Sequence, residues 1–280
     1  MEPLFVVLKN NRKLCYLECG DPKGFPLFFF HGWPGSRLQG RNFDSIGKKN
    51  GIRIIATDRP GFGQSDYYDE RTLLDWADDI EALADHLKIK KFSILGNSGG
   101  GPYAAACAFK ISQRILKVGI SVGLSPTNVK GVLAGMALPN QITWFAYHYF
   151  PFLMILNSLG FSLRQKLFPH RVALSASVDQ KMLSEDVKNS IAQNQKEAFR
   201  QGIKGVAQDL KLYTDDWGFE LEDIRAKVHL WYGEQDKNVS AEMGKLYAKR
   251  IPGAQLKIYK DVGHLLLVKY GEDVLKELVS

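Results

Sequence analysis

The chain has 280 residues, 45% hydrophobic and 24% charged, with 37 Lys/Arg against 30 Asp/Glu and a formal charge of +7. These proportions are those of a globular protein and exclude disordered, collagen-like and coiled-coil classes, and the length suits one large α/β domain carrying an insertion. The basic excess is scattered, with no run longer than a pair such as Lys48-Lys49 and no basic–aromatic stripe, which argues against a nucleic-acid partner.

In chain order, residues 4–9 and 14–19 read as a β-hairpin turning at Asn10-Asn11. Continuous apolar runs at 26–30, 52–57, 92–95 and 118–122 have the character of buried parallel strands. Helical patterns at 41–49, 73–87 and 100–110 separate them. After Asp223 the alternation resumes with a strand at 228–232, a helix at 241–250, a strand at 255–259 and a closing helix at 265–278. This rhythm predicts an α/β fold: a doubly wound, mostly parallel sheet of eight strands. Residues 125–215 interrupt it with helical, strand-poor sequence. They are expected to form a helical cap on a core domain made of 1–124 and 216–280.

Within that span, residues 131–163 carry no charge, but Pro139, Pro151 and Asn157-Ser158 cut the apolar run into short pieces. Two or three short helices are expected there, without stable membrane insertion. Glu2 and Pro3, with no basic residue ahead of the apolar stretch, argue against a secretory signal. Cys15, Cys19 and Cys107 form no C-x-x-C pair, which argues against a disulfide framework or a zinc site. A cytoplasmic location follows, with no metal and no cofactor.

Gly96-Asn97-Ser98-Gly99-Gly100 and Gly119-Ile120-Ser121-Val122-Gly123 both match G-x-S-x-G. Only the first has a strand before it and a helix directly after it, the context that lifts a serine hydroxyl above a sheet on a strained turn. Ser121 reads as a small residue in mid-strand. A phosphate loop at Ser98 would want G-x-G-x-x-G or a P-loop lysine, and neither is present. A serine nucleophile needs a base. Of six histidines, His86 lies in an amphipathic helix, His229 in a core strand, His148 and His170 in the cap, and His31 ahead of the serine, whereas His264 follows the last strand in a short loop. In the order Ser, acid, His, the acid belongs at the end of the preceding strand. Asp236 is preferred there and Glu234 is second. Two amides should hold a developing oxyanion, that of Gly99 and one from the loop after residue 30, where Trp33 is named and Pro34 cannot donate.

His31-Gly32-Trp33-Pro34-Gly35, the string Asp58 to Asp66, Gly96 to Gly100, Gly233-Glu234-Gln235-Asp236 and Gly263-His264 together resemble the capped α/β-hydrolase superfamily. The resemblance implies that 58–66 is a structural loop near the site. Serine at 98 points away from epoxide hydrolases and haloalkane dehalogenases, which carry aspartate there, and the elbow lacks the string shown by proline iminopeptidases. The implied activity is that of a serine hydrolase of small or medium-chain carboxylic esters, using Ser98, His264 and Asp236 with Gly99 and Trp33 as the oxyanion hole. A carbon–carbon bond hydrolase, a cofactor-free haloperoxidase-like perhydrolase and a small-molecule receptor with a retained triad are the alternatives. The aromatic cap suggests an apolar pocket, for which His31, Asn97, Trp144, Phe150 and Phe152 are the candidates.

Overall fold

The computed structural model describes residues 2–172, 174 and 176–280. Eight strands form one sheet: β1 (Leu4–Val7), β2 (Lys13–Gly20), β3 (Phe25–Phe30), β4 (Ile52–Thr57), β5 (Phe92–Asn97), β6 (Ile115–Ser121), β7 (Val228–Gly233) and β8 (Gln255–Tyr259). Their order is β1-β2-β4-β3-β5-β6-β7-β8, antiparallel at the first two pairings and parallel thereafter. Helices α1 (Asp44–Asn50), α2 (Leu73–His86), α3 (Gly101–Lys110), α9 (Ala241–Arg250) and α10 (Leu266–Val279) pack on its two faces.

The apolar runs make both faces at once, because alternate side chains of a strand point to opposite sides. Phe28, Phe30, Ile94, Ile120 and Leu230 enter the core shared with α2, α3 and α9. Leu27, Phe29, Ile54, Leu95 and Trp231 enter the core shared with α10. Strand β3 lies between β4 and β5, so the connection from β4 crosses over it. The C-terminal ends of β3 and β5 form the crevice in which such sheets bind ligands.

Two boundaries differ from the sequence pattern. The segment expected as one helix at 41–49 is a 3₁₀ turn, Arg37–Phe43, capped by the Ser36 side chain, followed by α1. Strand β6 starts at Ile115, three residues before the apolar run. Lys117 stands ahead of that run inside the strand, and its amine is taken up by the carbonyls of Glu277 and Ser280 at the C-terminal end of α10. Between β6 and β7 the described residues form five helices: α4 (Leu138–Tyr149), α5 (Phe152–Leu167), α6 (Ser177–Lys181), α7 (Glu185–Ala198) and α8 (Lys204–Thr214).

Candidate active site

Strand β5 delivers Ser98 on a tight turn into α3. Its φ is +52°, a left-handed value uncommon for a non-glycine residue. A Cβ at Gly100 would stand 2.3 Å from the carbonyl oxygen of Phe30, so only glycine lets the turn approach β3 this closely. The Ser98 carbonyl accepts from the Leu124 amide at 3.1 Å, which ties the turn to the chain leaving β6.

His264 comes from the loop after β8 and Asp236 from the loop after β7. Nε2 of His264 is 3.1 Å from Ser98 Oγ, and its Nδ1 is 2.7 Å from Asp236 Oδ2. The other carboxylate oxygen of Asp236, buried, accepts from the amides of Asn238 and Val239 at 2.7 and 2.9 Å. With its carboxylate fixed by two donors, Asp236 can hold the imidazole as the tautomer protonated at Nδ1, leaving Nε2 to accept from the serine. Burial works against the imidazolium of His264. The Asp236 carboxylate, its hydrogen bond and the charge of Asp179 outweigh burial and raise the pKa above the ordinary histidine value.

Gly99 and Trp33 meet beside Ser98: a Cβ at Gly99 would lie 3.1 Å from the Trp33 nitrogen, and one at Gly32 3.3 Å from the Ser98 Cβ. Neither the Gly99 nor the Trp33 amide donates to an acceptor among the described residues. The Trp33 indole donates to the Val206 carbonyl of α8 at 2.8 Å. Tyr213 Oη lies 2.9 Å both from the Gly99 carbonyl and from Asp209 Oδ2, and Asp209 also takes Arg59, Arg71 and Tyr103. This group is entirely buried, and the two guanidiniums hold the Asp209 pKa below the usual carboxylate value although burial opposes it.

A cavity of about 530 Å³ opens over Ser98 and His264. Trp33, Trp144, Tyr147, Phe161 and Tyr213 give it aromatic walls, and Asn97, Asn140, Asn157, Asn194, Gln195 and Asn238 give it carboxamides. Among the described residues no Lys, Arg, Asp or Glu lines it. The wall is therefore mixed where an apolar one was expected.

Of the pocket candidates, Asn97 and Trp144 line this cavity. His31, Phe150 and Phe152 do not. His31 is fully buried beneath the loop, Nδ1 against the Gly32 carbonyl and Nε2 accepting from the Arg59 amide, and burial, with Arg59 adding to it, holds its pKa well below the ordinary value. Phe150 and Phe152 stand 54% and 58% exposed at the corner between α4 and α5, because the sides of these helices that turn inward carry other residues. Glu234 is exposed, its amide paired with the Tyr259 carbonyl. Ser121 closes β6 instead of lying in mid-strand, fully buried, its Oγ without a partner among the described residues.

Sequence reasoning missed Asp179. From α6 its two carboxylate oxygens accept the amides of His264 and Leu265 at 2.8 and 3.0 Å, so the loop carrying the imidazole hangs on a side chain from the helical span. A signal was present: Asp179 is the only acidic residue between 125 and 184.

The family model described as alpha/beta hydrolase fold matches residues 26–269. The chain is 25% identical over 287 residues to a bifunctional esterase/perhydrolase of Acinetobacter calcoaceticus, covering 99% of this chain and 98% of that protein. It is 25% identical over 265 residues to a 2-hydroxy-6-oxononadienedioate/2-hydroxy-6-oxononatrienedioate hydrolase of Comamonas testosteroni, covering 91% and 86%. An esterase structure from Exiguobacterium antarcticum superposes with a TM-score of 0.72 at 18% identity, covering 99% of this chain and 98% of that one.

Proposed function

Because the chain belongs to the α/β-hydrolase fold family, we propose that it hydrolyses uncharged carboxylic esters through an acyl-enzyme on Ser98, under a cap formed by residues 125–215. The observation that carries this reading is the relay from Asp236 through His264 to Ser98, with two undonated amides beside the hydroxyl. His264 takes the Ser98 proton as Oγ attacks the ester carbonyl, then returns it to the leaving alcohol. The amides of Gly99 and Trp33 receive the oxyanion, each worth about 3 kcal/mol of barrier. Water, activated by the same imidazole, then frees the acid and restores Ser98.

The lining argues for the substrate class. A cavity lined by no Lys or Arg among the described residues suits a neutral ester, and it suits poorly the dicarboxylates in the name of the Comamonas relative, whose charges would be desolvated without a cationic partner. A reducing, cytoplasmic setting suits the three buried, unpaired cysteines.

The test is labelling with an aryl organophosphonate read by peptide mass spectrometry, followed by aryl esters of two to sixteen acyl carbons. Modification of Ser98 and repeated turnover, best for chains that fit the cavity, are expected. Label elsewhere, or one burst of product with no steady state, would overturn the proposal, the burst alone favouring a receptor.

A further inference from the structure

Helices α4 and α5 turn their oilier sides outward. On α5 the buried positions are Met154, Ser158, Ser162 and Gln165, while Leu156, Leu159, Leu163 and Leu167 each stand more than half exposed. On α4 the polar Asn140 and Thr143 line the cavity, and Leu138, Ile142, Phe145 and Tyr149 are exposed at the i, i+4, i+7, i+11 spacing of one helix side. Phe150 and Phe152, rings 6.3 Å apart, join the two stripes at the corner. Of the 18 large hydrophobic side chains exposed among the described residues, 12 lie between Leu138 and Phe168. That concentration marks a contact surface, since apolar side chains exposed singly are ordinary but a contiguous patch is not.

Charge identifies the contact. Residues 125–178 hold Lys130, Arg164, Lys166 and Arg171 and no Asp or Glu. None of the four is in an ion pair among the described residues, and Lys130, Lys166 and Arg171 are exposed. Arg164 lies over the Phe161 ring at 4.1 Å. Burial, then the neighbouring charge of Arg171, lowers its pKa. A second copy docked face to face would set these cations against their own kind. An anionic headgroup layer would neutralise them, and aromatic side chains beside basic ones suit the boundary between headgroups and acyl chains. Among the described residues no helix is long and apolar enough to cross a membrane, so the contact proposed is one in the plane of the surface.

We infer that the outer face of α4 and α5 docks this protein on anionic lipid surfaces, apolar stripes in the acyl boundary and the basic residues on the headgroups. The same helical layer lines the cavity with Trp144, Tyr147 and Phe161 on its other side, which places the cavity directly behind the docked surface.

The experiment is co-sedimentation of the full chain with phosphatidylcholine vesicles, with and without phosphatidylglycerol, at low and high salt, alongside light scattering of the protein alone. At least about tenfold stronger partition onto the anionic vesicles is expected, weakening as salt rises. Lys166→Glu with Arg171→Glu should cost roughly tenfold or more of that partition. Leu159→Glu with Leu163→Glu should abolish it while the circular dichroism stays that of the wild type, since both side chains are exposed. Absence of partition, equal partition onto both vesicle types, or a dimer that Leu159→Glu with Leu163→Glu dissociates would each overturn the inference.

Discussion

Ser98 owes its place at the cavity to a strained turn, and what it does there can be separated from what a serine does in the sheet. Ser98→Ala should reduce ester turnover by about 10⁴-fold or more, leaving the binding and oxyanion terms. Ser121→Ala, at a serine whose buried hydroxyl meets no hydrogen-bond partner among the described residues, should change it less than about twofold; equal losses at the two sites would refute the assignment. The raised His264 pKa carries a pH prediction of the proposed mechanism. With His264 as the base, which must then be neutral, kcat/KM should fall on the acid side with an apparent pKa above about 6.5, and Asp236→Asn should move that limb downward. Stability runs the other way. A folded pKa above the unfolded one stabilises the fold fully below the unfolded value, and the contribution is lost as pH rises through the folded value. The urea midpoint of wild type relative to His264→Gln should therefore shrink across the interval in which activity grows. Asp179→Asn replaces an acceptor of two amides with a group that can accept only through its oxygen, and it removes a charge that favours the imidazolium. It should lower kcat more than KM and shift the acid limb down, a signature that mere loosening of the fold would not give. The serine, histidine and aspartate were legible because strand ends and chain order restrict where such residues can stand. Asp179 and Asp209 were not, since each acts by meeting a partner at least 85 positions away in the chain.

At the scale of elements, the sheet was readable because a strand buried on both faces writes itself as an unbroken apolar run. The helices between β6 and β7 were less so. An uncharged stretch offers no polar side to orient it, and here the usual guide misleads, for α5 puts serines and a glutamine inside and leucines outside. That inversion is why Phe150 and Phe152 were expected in the pocket and are found outside it, while Trp144, stacked edge-on against Tyr147 and Tyr213, forms its wall. Trp144→Ala should raise KM for a long-chain aryl ester about tenfold or more, consistent with the loss of a large aromatic contact. Phe150→Ala should leave the KM of a dissolved short ester within about twofold. Steady-state kinetics on both esters would settle it, and the reverse ranking would mean that the helices sit with the opposite faces inward.

Across the whole molecule, the helical span and the sheet are joined by buried carboxylates. Asp209 of α8 takes both Arg59 and Arg71, Glu197 of α7 takes Arg37, and Asp179 of α6 takes the His264 loop. Asp209→Ala would leave two buried guanidiniums without an acid, a loss of about 3–5 kcal/mol and on the order of 10 °C in Tm, measurable by calorimetry. Because the Asp209 pKa is depressed in the fold, its contribution is present above the unfolded carboxylate value and lost as pH falls through the folded one. Helices α4 and α5 make no ion pair at all among the described residues. The chain is thus divided into a bolted part and an exchangeable one. A chimera receiving a foreign helical hairpin in place of residues 138–167 should still bind the phosphonate at Ser98 and melt close to the parent, whereas one exchanging 125–215 whole should do neither. Taste for substrate and power to react can then drift apart in descent, because mutations in the front hairpin reshape what enters without disturbing the acids that keep the relay aligned.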